Sequence, residues 1–186
     1  ALAPAAAGAA PAEKATKPAK TALPTESKVF KGDFDGMRQR RAIRVAVPYS
    51  RTLFFNDRGQ QRGMTAMAIG EFEQWLNRKY KTGAHRIVVF AQPVTRDRLL
   101  PMLQEGKADI AAGNLTITPE RSAQADFSAP LADNVSEVVV TGPASPPLAR
   151  LEDLAGKEVH VRPSSSYHQS LKRLNERFRK EGRPPM

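Results

Sequence analysis

The sequence predicts an α/β protein built on a parallel sheet, and three observations carry that expectation. Short β-branched runs such as Ile43-Arg44-Val45-Ala46-Val47 read as strands. Longer segments between them place apolar residues at i, i+3 and i+4, the spacing of an amphipathic helix. Strands and helices alternate in order along the chain, as helix-connected parallel strands do. Composition removes several alternatives. The 186 residues, 40% hydrophobic and 26% charged, suffice for one domain, or one and part of another. No apolar run approaches the ~18 residues that would cross a bilayer. With no cysteine there is no disulfide framework, no thiolate metal site and no cysteine nucleophile.

The elements follow from local chemistry. Ile43 to Val47 alternates and is closed by Pro48, and Asn56-Asp57-Arg58-Gly59 is a turn. Thr65 to Tyr80 is expected as a helix with Met64, Met67, Ala68, Phe72, Trp75 and Leu76 on its inner face. Ile87 to Phe90 is a second strand. Thr95 caps a helix running to Glu105, bent by Pro101 and stopped by Gly106. Ala108 to Ala112 is a short buried strand and Glu137 to Thr141 another. Beyond them are expected a short helix at Leu151 to Leu154, a strand at Glu158 to Arg162, and a helix from Tyr167 to Lys180.

Four segments organise the chain. Residues 1–30 are Ala, Pro, Lys and Thr with almost no large apolar side chain, so they are expected to form a disordered linker. Residues 31–142 form the first α/β unit, and the Gly- and Pro-rich stretch 143–147 is a hinge. Residues 148–186 open a second unit that would hold one strand and one helix. Such a pair cannot close a core, so the sequence is expected to be part of a longer protein. The net charge of +10 draws the chain towards anionic surfaces, and Lys14, Lys17, Lys20 and Lys28 against Glu13 and Glu26 leave most of it in the folded part.

Ligands of open parallel sheets bind beyond the carboxyl ends of the strands. One such end leads into Arg51 to Phe55. Another leads into Asn114-Leu115-Thr116-Ile117-Thr118-Pro119-Glu120-Arg121, and a third into Ser164-Ser165-Ser166. Thr118 followed by Pro119, and the serine triplet, are helix starts whose free N–H groups suit a carboxylate or phosphate. Arg121 adds a planar fork able to grip a carboxylate with two hydrogen bonds. Around one cleft these groups describe a receptor for a small anion or zwitterion. Each also has a plainer reading: an ordinary helix opening, a solvated arginine, a capping serine, and Phe54 or Phe55 as hairpin core. Met64 and Met67 read as packing. His85, His160 and His168 lack ligand spacing, so no metal is expected.

The run Ala108 to Arg121, followed by Asp126-Phe127-Ser128, resembles the hallmark of the family 3 solute-binding domains, which have the type II periplasmic-binding fold. Leu151-Glu152-Asp153-Leu154-Ala155-Gly156-Lys157 with Ser164-Ser165-Ser166-Tyr167 resembles that family's entry into its second lobe. The resemblance covers Ile43 to the C-terminus. It implies that 31–142 is lobe one, that 148–186 is a partial lobe two, and that Arg121 holds a ligand's carboxylate. The ligand-binding set it implies is Arg51, Phe54, Asn114, Leu115, Thr116, Thr118, Arg121, Ser165 and Ser166, with no cofactor. A narrower resemblance lies in Lys31-Gly32-Asp33-Phe34-Asp35-Gly36-Met37, Val47 to Phe55 and Leu174-Asn175-Glu176-Arg177-Phe178. These are similar to the binding domains fused to membrane-bound lytic murein transglycosylases of the F type. The catalytic glutamate of that family lies in a later domain, and no catalytic residue is expected here. Amino-acid binders usually place acidic residues after the glycine matching Gly63, where this chain has Met64-Thr65-Ala66-Met67.

Two functions follow from the resemblance. The first is a periplasmic sensor domain of a peptidoglycan-cleaving enzyme, taking a polar amino-acid-like or cell-wall peptide ligand, with peptidoglycan met through the later domain and the membrane through an upstream anchor. The alternative is a free-standing solute-binding protein that serves an ABC transporter. Nucleic acid is not an expected partner, because Lys172, Arg173, Arg177, Arg179, Lys180 and Arg183 read as the wet face of an amphipathic helix.

Overall fold

The computed structural model describes residues 29–186. The linker expected over 1–30 lies outside the described residues except for Val29 and Phe30. Phe30 is already tied to the fold, its N–H donating to the Gly106 carbonyl at 2.8 Å.

Asp33, whose carboxylate accepts from the Gly36 N–H, caps a short helix α1 (Phe34–Gln39) that periodicity did not reveal. The central strand β1 (Ala42–Pro48) is buried along nearly its whole length. It lies between β4 (Val88–Val94) and the two-residue β5 (Ile110–Ala111), parallel to both, in the order β4-β1-β5. Burial on both faces explains why β1 reads as a nearly continuous apolar run. β4 occupies an edge, which accommodates Pro93 within it. Between β1 and β4 come the hairpin β2 (Phe55–Asp57) and β3 (Gln60–Arg62), then helix α2 (Met64–Lys79). The hairpin turns through Arg58 (φ 49°) and Gly59 (φ 83°), two left-handed residues whose twist matches paired antiparallel strands.

Helix α2 crosses the sheet, but its buried face differs from the expected one. Thr65, Ile69 and Leu76 are buried and Phe72 packs partly against the core, whereas Met64, Met67 and Trp75 are exposed. The two methionines are therefore surface residues and not packing. The start of α2 sets the phase: Gly63 has φ 111°, and the N–H groups of Met64 and Thr65 donate to the carbonyls of Thr52 and Leu53. That docking turns Thr65 inward and rotates the methionines to solvent.

After β4, Thr95 leads into a 3-10 turn (Arg96–Arg98) continued by α3 (Leu99–Gln104), which Gly106 ends at φ 67°. Pro101 sits in the first turn of α3, where its missing N–H costs least. Leu99 and Met102 of α3 pack with Ala46 and Ala108, forming the core on the second face of the sheet.

The C-terminal segment holds a 3-10 turn (Leu151–Leu154) and helix α5 (Ser166–Lys180), with Phe178 and Leu154 buried. Neither Glu137–Thr141 nor Glu158–Arg162 is a strand, which corrects both expectations. These runs have no ladder partner among the described residues. They line, with α5, an apolar cavity of about 980 Å³ whose walls include Val138, Val140, Val159, Leu171 and Leu174.

Candidate ligand-binding site

The carboxyl ends of β1, β4 and β5 face the same way because the strands are parallel. After β1, the Ser50 hydroxyl accepts from the N–H groups of Thr52 (3.3 Å) and Leu53 (3.4 Å), and Ser50 bridges Phe54 through paired main-chain hydrogen bonds. The resulting tight loop turns Phe54 into the core, where it is fully buried against β1 and α2 residues. Phe54 is thus unavailable to a ligand, which corrects its place in the expected set and supports the plainer hairpin-core reading. Arg51, on the outside of that loop, is exposed.

Beyond β5 the chain passes Gly113, whose added Cβ would stand 2.7 Å from Leu99 Cδ1, so the loop lies hard against α3. Asn114 takes a left-handed φ of 49°, which asparagine tolerates better than most residues. Its exposed side chain looks away from the core, whereas Leu115 packs against the Ala46–Leu99 cluster as support for the loop. Arg96, a residue not singled out from the sequence, donates from Nη1 to the Gly113 carbonyl at 2.7 Å and pins the loop to the carboxyl end of β4. Its signal was a lone arginine just past a strand, indistinguishable there from a surface charge.

Thr118 caps α4 (Pro119–Ser122), its hydroxyl accepting from the Arg121 N–H at 3.3 Å. The Arg121 side chain folds back and is 91% removed from solvent, with 9% exposure. Its Nη1 donates to the Thr116 carbonyl at 2.9 Å and its Nη2 to the Ser164 carbonyl at 3.1 Å. Burial lowers its pKa from the ordinary guanidinium value, and the neighbouring Glu120 charge partly restores it. The Ser166 hydroxyl donates to Thr116 Oγ1 at 3.2 Å, and Ser165 caps α5 by accepting from the His168 N–H at 3.4 Å. Of the expected residues, Thr116, Thr118, Arg121, Ser165 and Ser166 are therefore brought together. Arg51, Asn114 and Leu115 stand nearer the sheet.

This cluster joins two distant stretches of chain through one buried cation. The two donors spent on carbonyls leave part of the guanidinium's five N–H groups for an anion, beside two helix starts. The plainer reading of Arg121 as a solvated arginine is overturned by its burial. The apolar cavity beside α5 is a separate feature and contains neither Arg121 nor any residue of β1. No group of three or more metal-ligating side chains occurs among the described residues.

Residues 43–182 match the model of the bacterial extracellular solute-binding proteins, family 3. A curated relative, membrane-bound lytic murein transglycosylase F of Desulfosudis oleivorans, is 35% identical over 78 residues, which are 42% of this chain and 17% of that protein. An ancestral arginine-binding protein bound to arginine is 27% identical with a TM-score of 0.51, and the match covers 74% of this chain and 57% of that one. An ancestral arginine-binding protein bound to glutamine is 27% identical with a TM-score of 0.50 over the same shares. The chain thus spans a small part of the curated relative and little more than half of these solved proteins. The parallel sheet with its flanking helices is the type II periplasmic-binding arrangement of those neighbours. On the match over residues 43–182, the chain belongs to the family 3 bacterial extracellular solute-binding proteins.

Proposed function

We propose that the chain is the small-ligand-binding sensor domain of a periplasmic peptidoglycan lytic transglycosylase, and that it takes a carboxylate-bearing amino-acid-like or cell-wall peptide ligand in a cleft between two lobes. Residues 31–142 would form lobe one and 148–186 part of lobe two, with 143–147 as the hinge. The observation that carries this reading is Arg121. It belongs to the loop beyond β5, yet its Nη2 reaches the Ser164 carbonyl at the start of the C-terminal segment. A carboxylate arriving there competes for that donor and gains the N–H groups near Thr118 and Ser165, so the ligand replaces a main-chain acceptor and bridges the same two stretches.

The solved neighbours support a polar amino-acid-like ligand, since those proteins hold arginine and glutamine. The curated relative supports the enzyme context through 42% of the chain. The second reading, a solute-binding protein that delivers an amino acid to a transporter, is favoured by those same solved neighbours.

Titration calorimetry of the full-length protein with arginine, glutamine and a muropeptide tests the site. Arg121→Lys keeps the charge but loses the fork. Binding is expected to weaken by ~1.5 to 3 kcal/mol, the usual worth of a charge-assisted hydrogen bond. Ser166→Ala removes only the hydroxyl contact to Thr116 and is expected to bind nearly as wild type. Equal affinity of wild type and Arg121→Lys for any ligand that binds would remove Arg121 from the site.

A further inference from the structure

We infer that the face at the amino ends of β1 and β4, opposite the proposed ligand cleft, is a docking surface for anionic phospholipid headgroups. Topology gathers cations there from three separate stretches. Helix α2 runs back across the sheet, so its last turn lies beside α1 and beside the loop that enters β4. Tyr80 marks the junction: Phe34 of α1 packs on it with ring centroids 5.4 Å apart, and the guanidinium of Arg38 lies 4.4 Å from its ring centre. Arg41 adjoins through the Val88 N–H, which donates to its carbonyl at 3.0 Å. Arg78 and Arg86 line one shallow depression across the loop.

Arg38, Arg41, Arg78, Lys79, Lys81 and Arg86 are all exposed on this face. Three carboxylates accompany them, Asp35 paired with Arg38 at 3.2 Å, Glu73 paired with Arg86 at 3.5 Å, and exposed Glu71 one turn before Trp75 on α2. Six cations against three carboxylates leave a net charge of +3. α2 ends here with Arg78 and Lys79 in its last turn, and the helix dipole accounts for only part of such a cluster.

Lipid is favoured over nucleic acid by the apolar groups mixed among the charges. Trp75 is 46% and Val88 50% exposed on or beside this face. Indole and aliphatic groups ringed by lysine and arginine suit the boundary between headgroup and acyl chain. A base-stacking platform needs a bare ring. Trp75 is already stacked by Phe72 at 6.0 Å and covered by Lys79 at 4.5 Å, one helical turn to either side. Of the basic residues of α5, Arg177 is held by Glu152 at 2.9 Å. Docking by the amino-end face leaves the carboxyl ends of the strands open to solvent.

Flotation of the 186-residue chain with vesicles tests the inference, using phosphatidylcholine alone and phosphatidylcholine with phosphatidylglycerol at 0.15 M salt. Binding is expected only to the anionic vesicles. Arg78→Gln with Lys79→Gln and Lys81→Gln should weaken it by more than tenfold, at roughly fivefold per charge near an anionic surface. The same charge loss on α5, through Lys172→Gln, Arg179→Gln and Lys180→Gln, should change it by less than threefold. Equal loss in the two triple variants would show a general effect of net charge and overturn the assignment. Failure to bind anionic vesicles, or tighter binding to duplex DNA than to those vesicles at the same salt, would overturn it too. Arg78→Lys with Lys81→Arg preserves the charge and should bind as wild type, which separates charge from any loss of folding.

Discussion

Asp109 offers the sharpest test of how the fold is held. Its side chain is 2% exposed, and it accepts from the Arg44 N–H at 2.7 Å, from Arg44 Nε at 3.1 Å, from Arg44 Nη2 at 2.8 Å, and from Arg40. Burial alone would raise its pKa, but the hydrogen bonds from Arg44 and Arg40 outweigh that and hold it below the ordinary carboxylate value. Asp109→Asn keeps the size and one acceptor oxygen while it removes the charge that compensates Arg44, itself 4% exposed. Breaking one partner of a buried pair costs ~3 to 5 kcal/mol, and the retained acceptor places the expected loss near the lower end, at ~3 kcal/mol. Against a domain stability of ~5 to 15 kcal/mol this is a large fraction, and the urea midpoint should fall with little change in slope. The sign with pH follows from a depressed folded pKa. The stabilisation is present above the unfolded value of ~4 and is lost as pH falls through the folded value. Wild type should therefore lose stability more steeply than Asp109→Asn below pH ~4. The reasoning is falsified if the two proteins share a urea midpoint at pH 7, or show the same acid dependence.

The other expectations concern the loops at the opposite end. Gly63→Ala forces a Cβ to within 2.4 Å of the Leu53 carbonyl at a φ of 111°, so a loss of ~2 kcal/mol or more is expected in thermal or urea unfolding. Phe54→Ala removes a wholly buried ring and should cost ~3 to 5 kcal/mol. A Phe54→Ala protein of wild-type stability would return that ring to the ligand site. Arg96→Ala frees the Gly113 carbonyl and should cost ~1.5 kcal/mol in stability while it weakens ligand binding by calorimetry. Unchanged binding would show that the loop needs no pin from β4.

The parts of the fold that were legible in the sequence are those that local chemistry decides. β1 announced itself through β-branched residues closed by Pro48, and the helix starts at Thr118 and Ser165 through side chains that accept main-chain N–H groups. The Arg58-Gly59 turn was equally plain. What escaped depends on contacts between distant residues. The phase of α2 is set by its docking onto Thr52 and Leu53, and periodicity placed Phe72 and Leu76 inward correctly but took exposed Met64, Met67, Ala68 and Trp75 with them, because these residues are apolar wherever they point. A strand exists only with a partner, so β-rich text at Glu137 and Glu158 did not suffice. At the site, residue types marked an arginine and two helix starts, at Thr118 and Ser165, as candidates for meeting an anion. They did not show that Arg121 would be buried against the Ser164 carbonyl.

The two ends of the sheet are coupled through its shortest strand. β5 contributes only Ile110 and Ala111 to the ladder, opposite Val45 and Ala46. On its amino side the Asp109 N–H donates to the Arg44 carbonyl at 2.9 Å, and on its carboxyl side the Ala112 N–H donates to the Ala46 carbonyl at 2.9 Å. So brief a ladder cannot by itself fix the direction of the loop from Gly113 to Arg121. The buried Asp109 carboxylate clamps the strand at its start, and Arg96 clamps the chain just past its end. Clamps on both sides of a two-residue strand place the start of the loop that carries Thr116 and Arg121 while leaving the loop itself free of the sheet. That freedom is what a group needs if it is to exchange a main-chain acceptor such as Ser164 for an incoming carboxylate.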